Sequence, residues 1–464
     1  MSERNELTRF PPGSFRELAF LAFPMIISSL SACLLTLCDR LFLAHVSTNS
    51  LNAVTAAINP VCLLQNVLMT VPLVSQGFIG HYSGANQDKK IGPFVWQMIY
   101  FSFLSMLITL PLSQLFDATF KGLAVEREAQ IYLRYLAAVN FLYPLGASLA
   151  AFFLGRGKMS TIFYANLIIQ GVNICLDYLL IFGVSRIIPP LGVKGAAIAT
   201  MIAQSLYCLI LFSLFLKKKH VEQYGIDQKA FNFSLLKEGL KTAIPRALGR
   251  CFILGTWTAS ATFVIKQGGD SHLVYSFGVT MLNVIFFIGE GMGQALVTIA
   301  SYSLGAMRSV LFFRKAIKSA LKFVGLTSVI FAFPLFFMQD TIIGYIVKEP
   351  LSVQTHTILI TTCFYLWIGT IGSGVMRIGI GLATAARDTM FYALSTGGFI
   401  LTIFAPLYIG TNFFHWSPSA LFFIDAINST LYGSFFIFRF LRSPYRHLKP
   451  KTTTMPPIDQ AVNP

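Results

Sequence analysis

Charged residues are scarce in this sequence. Only 12% of its 464 residues are Asp, Glu, Lys or Arg, whereas 55% are hydrophobic. Soluble globular domains have a charged share of about 25%, so this composition excludes that class of protein. Acidic residues are fewer than basic ones, with 19 Asp and Glu against 35 Lys and Arg, and the formal net charge is +16. We therefore predict an integral membrane protein.

Nucleotide-binding and metal-binding motifs are also missing. Gly84 and Gly305 follow apolar helical runs and do not fit the strand-to-helix context of a phosphate loop, so no nucleotide-binding site is predicted. The seven cysteines lie inside apolar runs at no metal-ligand spacing, which predicts neither a disulfide nor a metal centre. The seven histidines are scattered along the chain, which argues against the convergent catalytic set of an intramembrane enzyme.

Long apolar runs are what the sequence has in abundance. A helix needs about 20 residues to cross a hydrocarbon core of roughly 30 Å. The runs are continuously apolar, unlike the alternating strands of a membrane β-barrel. The fold class predicted is therefore an all-α integral membrane protein with twelve transmembrane helices. The predicted spans are 16–45, 53–82, 94–116, 129–153, 161–184, 193–216, 236–265, 273–302, 317–338, 352–384, 390–411 and 417–440.

Basic residues concentrate in alternate loops, for example at Lys217 to Lys219 and at Arg314 to Lys318. By the positive-inside rule these loops and both termini are cytoplasmic. We expect the protein to lie in the plasma (inner) membrane. The positive charge thus marks membrane orientation and does not indicate a nucleic-acid partner. The first span is too long for a cleaved signal sequence and is expected to remain as a signal anchor.

The two halves of the chain repeat one another weakly. Several residues recur in order at one constant offset, which indicates duplication. Because each half has an even number of spans, the repeats are parallel and related by an axis along the membrane normal. This predicts two six-helix lobes around a central cavity with alternating access. The repeated residues are Glu17, Ala22, Pro24, Gly84 and Ala85 in the first half, and Glu238, Ala243, Pro245, Gly305 and Ala306 in the second.

The longest charged interruption between spans, Leu216 to Lys237, divides the spans six and six. We also expect the protein to function as a monomer. The predicted parts are a cytoplasmic N-terminal segment 1–15, an N-terminal lobe 16–216, a cytoplasmic linker 217–235, a C-terminal lobe 236–440 and a cytoplasmic basic and polar tail 441–464.

Four polar residues in the N-terminal lobe are candidates for an ion site. Asp39 and Asp177 lie deep inside apolar runs, where ionisable residues are usually functional. Asn173 precedes Asp177 by four positions, so the two share a helix face. Thr200 lies at a similar predicted depth in span 6. This set of hard oxygen atoms suits a small cation or a proton, whereas hydrogen bonding in helix packing is the structural alternative, strongest for Thr200.

A second group of intramembrane charges lies in the C-terminal lobe. Glu290 in span 8 and Arg250 in span 7 have similar predicted depths, so they form either a structural ion pair or part of the cavity wall. An unpaired Glu290 would attract a cationic substrate. Arg377 and Asp425 are interpreted as structural or interfacial, and the role of Arg246 beside Arg250 stays open.

Short segments of the sequence resemble the multidrug and toxic compound extrusion (MATE) family of secondary transporters. The resemblance is carried by residues 37–43, 173–177 and 192–200, and by the motifs Ser83-Gly84-Ala85 and Gly157-Lys158. It covers nearly the whole chain and is strongest in the first half.

The resemblance implies roles for particular residues. Asp39, Asn173, Asp177 and Thr200 match the N-lobe site where bacterial and archaeal members bind Na⁺ or H⁺, so these four residues would also be the metal ligands if the ion is Na⁺. No other cofactor is implied. Pro24 matches a first-helix proline linked to bending of that helix.

The sequence departs from the family pattern at two places. Span 7 has no carboxylate after Glu238, where many members have a functional glutamate, so the coupling role falls on the N-terminal lobe. Arg40 stands beside Asp39, where the family usually has a small polar residue. Adjacent helix positions point about 100° apart, so we expect Arg40 to face away from Asp39 or to extend outward.

The expected function is a secondary active multidrug exporter and not an enzyme. It would exchange Na⁺ or H⁺ for small organic compounds, preferentially cations, whose flat rings aromatic side chains would contact. Its other partner is the lipid bilayer. One alternative is a lipid-linked oligosaccharide flippase of the same superfamily, in which Arg246 and Arg250 would face a diphosphate. A second alternative, an intramembrane enzyme, would use Asp39 and Asp177 as a catalytic dyad.

Overall fold

A computed structural model describes residues 6–122, 124–184, 189–347 and 351–442. Its helices confirm the all-α fold of twelve spans, one of which is a helix pair bent by 44°. Most of the predicted tail, from residue 443 onward, lies outside the described residues. The spans are span 1 Phe15–Val46, span 2 Thr48–Gly84, span 3 Asp88–Phe120, span 4 Glu126–Ala138 with Leu142–Gly155, span 5 Met159–Phe182, span 6 Val193–Phe215, span 7 Phe233–Lys266, span 8 Ser271–Gly305, span 9 Val310–Phe337, span 10 Val353–Ala385, span 11 Thr389–Phe414 and span 12 Ala420–Arg442.

Three other spans are interrupted without a sharp bend, and two short helices lie between spans. Proline is one cause, because it cannot donate the backbone hydrogen bond that continues a helix, as at Pro72 just before the break in span 2. The pieces are Thr48–Leu73 and Ser75–Gly84 in span 2; Asp88–Lys90, Ile91–Leu104, Met106–Asp117 and Ala118–Phe120 in span 3; Thr389–Gly397, Ile400–Phe404 and Ala405–Phe414 in span 11; and the short helices Lys218–Tyr224 and Gln339–Ile346.

The bend in span 4 separates its two helices around Asn140. Pro144 lies in the first turn of the second helix, where its missing N–H prevents the first helix from continuing. The Asn140 amide nitrogen donates to the Thr109 hydroxyl of span 3 at 3.1 Å, and Asn140 is buried. The bend is therefore fixed by a buried hydrogen bond to the neighbouring span.

The turns that follow spans 2 and 8 have the same structure. The backbone N–H of Gln87 donates to the Tyr82 carbonyl oxygen at 2.8 Å, and the backbone N–H of Arg308 donates to the Ser303 carbonyl oxygen at 3.0 Å. These residues are related by the offset found in the sequence. The equivalence supports an internal duplication and gives both halves the same helix ending at one end of the molecule.

The two lobes share a buried core only toward one end. The loops at residues 84–90, 155–158, 217–232, 305–309 and 386–388 lie at this end, here called the basic face. Toward it, apolar residues of both lobes meet in two clusters, whereas toward the opposite face the N-terminal lobe has one cluster of its own and the C-terminal lobe has two. The shared clusters include Leu21, Ile79, Leu296 and Phe313 in the larger and Phe78, Phe94 and Leu236 in the smaller; the N-lobe cluster includes Leu43, Leu133 and Ile181, and the C-lobe clusters include Val264, Leu359 and Leu421. The lobes are therefore closed at the basic face and separated at the opposite face.

Two glycines at equivalent positions make the closed contact. A Cβ at Gly84 would overlap the carbonyl oxygen of Tyr302, and a Cβ at Gly305 would overlap the carbonyl oxygen of His81. Each lobe therefore places its glycine against the backbone of the other. Only glycine permits this approach, because any side chain would separate the two helix ends.

We expect Gly84→Ala to open the basic face. The added methyl group overlaps the backbone oxygen of Tyr302, and such overpacking costs about 1–3 kcal/mol, enough to shift a two-state equilibrium several-fold or more. Distances between spin labels at Lys90 and Lys315 in detergent-solubilised protein would show a larger population of long separations. Gly325→Ala is the matched control, since nothing lies within 4 Å of that Cβ. Identical distance distributions in both variants would contradict the close-contact interpretation.

Candidate functional site

Asp39, Asn173 and Asp177 meet between spans 1 and 5. The Asn173 amide nitrogen donates to the Asp177 carboxylate at 3.0 Å, as their shared helix face predicts. Asp177 is fully buried and Asn173 is 4% exposed. The Asp39 carboxyl group, which is half-buried, lies within hydrogen-bonding reach of Asp177. The structure thus brings together three of the four residues predicted for the N-lobe site.

The carboxyl groups of Asp39 and Asp177 are not fully satisfied. One oxygen of each, Oδ1 in both cases, is buried without a hydrogen-bond partner among the described residues. No Lys, Arg or His in the described part of the chain forms an ion pair with either group. Two carboxylates this close repel each other, and a single proton or small cation between them would relieve the repulsion.

Thr200, the fourth predicted residue, uses its hydroxyl hydrogen in a bond within its own helix. Its hydroxyl group donates to the Ala196 carbonyl oxygen of its own helix at 3.0 Å. This is the common arrangement of a threonine inside a helix. Its half-buried hydroxyl oxygen keeps lone pairs that can still accept a bond or a cation. A role for Thr200 in ion binding stays a prediction.

Two tyrosines of span 4 lie near this site and were not foreseen. The phenol groups of Tyr132 and Tyr143 both lie within electrostatic range of Asp39. Tyr143 is also within hydrogen-bonding reach of Gln65 in span 2. Tyr132 precedes the bend in span 4 and Tyr143 follows it, so their approach to Asp39 depends on that bend. Nothing in the sequence distinguished them from the other tyrosines.

Arg40 and Pro24 lie on span 1 together with Asp39. Arg40 is exposed, and among the described residues no ion pair joins it to Asp39, so it faces away as expected. Pro24 lies inside a helix that is continuous from Phe15 to Val46. The hinge role of Pro24 stays a prediction.

Glu290 has a different partner from the one considered in the sequence. Its carboxylate forms an ion pair with Arg377 of span 10, and Arg250 does not take that position. Arg250 and Arg246 of span 7 lie near the pair and interact with Glu290 electrostatically. Spans 8 and 10 pack closely here, because Gly289 allows the Arg377 side chain to approach its backbone. The pair is thus Glu290 with Arg377, inside a group of three arginines.

Asp425, interpreted from the sequence as structural, lies apart from both groups. Its carboxylate is within hydrogen-bonding reach of Trp257 in span 7. This contact ties span 12 to span 7 within the C-terminal lobe, which agrees with a packing role.

Comparison with known sequences supports the family resemblance. The sequence profile of the MatE family matches residues 24–179. A probable multidrug resistance protein NorM of Thermotoga maritima is 25% identical over 291 residues, which are 61% of this chain and 62% of that protein. A NorM of Mannheimia succiniciproducens is 24% identical over 363 residues, 75% of this chain and 77% of that protein. The match thus spans less than two thirds of the Thermotoga protein and about three quarters of the Mannheimia protein.

Solved structures share the whole fold. A MOP superfamily transporter from Pyrococcus furiosus, described as having a binding pocket of reverse polarity, superposes with a TM-score of 0.84 at 18% identity, covering 97% of this chain and 99% of that one. The outward-facing conformation of a multidrug resistance MATE family transporter gives a TM-score of 0.79 at 18% identity, covering 96% and 100%. The profile, the relatives and the fold confirm the resemblance of this chain to the MATE family.

Proposed function

We propose that this protein is a secondary active exporter that exchanges Na⁺ or H⁺ for small organic compounds. The carrying observation is the buried pair of facing carboxyl groups, Asp39 and Asp177, with unsatisfied oxygens and no described basic partner. A site of this kind binds one positive charge and is costly to leave empty. Relatives named as probable multidrug resistance proteins support organic compounds as the cargo.

The cost of buried charge supplies the coupling. In the observed arrangement no apolar cluster of the described residues joins the lobes at the face opposite the basic loops, and Asp39 is only half-buried. Closing that face around two negative charges would remove the remaining water and raise their free energy by several kcal/mol. A bound cation neutralises one charge and lowers this cost. Cation binding therefore favours the transition that carries the ion inward, provided that the basic face is cytoplasmic.

Span 1 is the element that connects the ion site to the other lobe. Pro24 lacks the N–H that would donate to the carbonyl group one turn earlier, so the helix is weakest there. Two residues later, Ile26 packs against the backbone of Gly291 in span 8, and its Cγ1 atom would lie 2.6 Å from a Cβ at that glycine. A change of span 1 on cation binding at Asp39 would therefore be transmitted directly to the C-terminal lobe.

We expect Asp39→Asn and Asp177→Asn each to reduce gradient-driven efflux by at least tenfold, because either change removes a charge that the coupling ion neutralises. The measurement is efflux of a fluorescent organic compound from everted vesicles under separately imposed Na⁺ and proton gradients. The gradient that drives efflux in the unchanged protein identifies the coupling ion.

The control for these variants is Asp117→Asn, which removes a carboxylate from an ion pair with the exposed Arg134. It should leave efflux near the original rate. Normal gradient-driven efflux by both Asp39→Asn and Asp177→Asn would refute the proposed coupling site.

We expect Pro24→Ala to slow efflux several-fold while cation binding by the purified protein stays within about twofold, because the alanine restores a backbone hydrogen bond and stiffens span 1. Efflux rates are compared at equal expression, and cation binding is measured by the thermal shift it produces. Pro334→Ala in span 9 is the matched control, since it also changes a proline inside a helix. A Pro24 variant that transports at the full rate would eliminate the hinge role.

A further inference from the structure

The charges of the C-terminal lobe do not balance. Glu290 interacts electrostatically with Arg377, Arg250 and Arg246, all within membrane-spanning helices. With three guanidinium groups and one carboxylate, the group has an excess of two positive charges. Within the described residues, Glu290 forms an ion pair with only one of the three arginines. We call these four residues the C-lobe cluster.

The three arginines differ in how many hydrogen bonds, ion pairs and aromatic contacts their guanidinium groups make. Arg246 donates to the Thr384 hydroxyl and lies over the Tyr392 ring, 5.1 Å from its centroid. Arg377, besides its ion pair with Glu290, stacks on Phe286 at 3.9 Å.

Arg250 is the least engaged of the three. It approaches the Phe286 ring at 5.8 Å and makes no hydrogen bond to any side chain or backbone group that the structure describes. A guanidinium group offers five N–H donors in a planar fork that matches carboxylate and phosphate oxygens. Those of Arg250 remain available to a ligand.

The C-lobe cluster borders the opening between the lobes. The Glu290 side chain is 34% exposed, although its neighbours on the same helix form inter-lobe contacts. Gly291 packs against Ile26 of span 1, and the Gln294 carbonyl oxygen accepts from the Gln76 side chain of span 2 at 2.9 Å. Glu290 therefore lies where the inter-lobe contact ends and the open side begins.

An apolar cavity adjoins the C-lobe cluster. It lies between spans 8, 9 and 10. Gly289, which lines it, also packs against Arg377, so cavity and cluster are neighbours. The cavity is lined by Gly289, Met292, Phe323, Phe331, Thr370 and Ser373, among others. The cavity has room for about one water molecule, so it is a narrow gap beside the guanidinium groups that would have to widen to take part of a ligand.

We infer that the C-lobe cluster is the substrate subsite for the anionic group of an amphipathic organic anion. Two uncompensated positive charges are unfavourable in a membrane-spanning region, and a bound anion would offset that cost. This inference rests on the proposed exporter function and names its substrate class. It reverses the preference for cations expected from the sequence, one basis of which, an unpaired Glu290, is not met because Glu290 pairs with Arg377.

The two lobes would then bind opposite charges. The N-lobe carboxylates take the coupling cation, and the C-lobe arginines take the substrate anion. Because the sites differ in sign, the ion cannot occupy the substrate subsite, nor the substrate the ion site. Coupling would proceed through span 1, which touches span 8 at Gly291, next to Glu290.

The test is binding of two dyes with one ring system and opposite charge. Fluorescence anisotropy of fluorescein, as its dianion, and of the cationic rhodamine 123 is measured with the purified full chain in neutral detergent. We expect fluorescein to bind at least tenfold more tightly. Arg250→Gln should weaken fluorescein binding about tenfold, since hydrogen bonds to charged groups contribute about 1.5–3 kcal/mol. Arg250→Glu should favour rhodamine 123.

Two further variants serve as controls. Arg250→Lys keeps the charge and should recover most of the fluorescein affinity, which separates loss of charge from misfolding. Arg134→Gln is a matched change at an arginine whose side chain is 64% exposed, and it should bind both dyes as the unchanged protein does. Equal affinity of the unchanged protein for both dyes, or fluorescein binding that Arg250→Gln and Arg250→Glu leave unaltered, would overturn the inference.

The experiment separates this inference from the exporter proposal, because binding needs no gradient. Gradient-driven efflux of rhodamine 123 without fluorescein binding would leave the exporter standing and remove the anion subsite. Fluorescein binding through Arg250 without gradient-driven transport of either dye would support the anion subsite and contradict the exporter proposal.

Competition by farnesyl diphosphate distinguishes the source of the anion. Displacement of fluorescein assigns the subsite to lipid diphosphates, as in the flippase alternative, and its failure assigns it to soluble organic anions; the anion chemistry is supported in both cases.

Discussion

Ionised side chains inside a membrane are the constraint on which the organisation of this protein depends. Removing such a group from water costs several kcal/mol unless an opposite charge or several hydrogen bonds compensate. The chain accepts this cost at two places, with Asp39 and Asp177 in one lobe and the C-lobe cluster in the other. Within the described residues, Asp39 and Asp177 have no basic partner, and the C-lobe cluster has two more arginines than carboxylates. Each place therefore favours a ligand of opposite charge.

Close packing at the basic face makes these charges useful for transport. Gly84 and Gly305 let the ends of spans 2 and 8 meet backbone to backbone, so one end of the molecule is sealed while the other stays open. Ile26 on Gly291 joins span 1 to span 8 within the same contact region. A rigid contact of this kind is either made or broken, and it behaves as a switch between two arrangements. Binding at either charged site can bias that switch.

Internal duplication explains the frame but not the chemistry. The equivalent turns at Gln87 and Arg308 have the same hydrogen bond, because both halves keep the same helix endings. The charged residues do not follow the repeat: the pair Asp39 and Asp177 lies in the first half, and the three arginines around Glu290 lie in the second. The same backbone thus carries opposite charges in its two lobes, which suits separate binding of an ion and a substrate.

The sequence by itself determined the twelve apolar helices, the repeat and the pairing of Asn173 with Asp177, because helix length, periodicity and a spacing of four residues are local properties. Only the tertiary structure decided that Glu290 pairs with Arg377 in place of Arg250, and that Tyr132 and Tyr143 approach Asp39. These contacts depend on how each helix is rotated about its axis and where it bends. A span that is apolar on nearly every face has no single stripe that indicates which side faces its neighbours. Its rotation is therefore decided by packing between the helices.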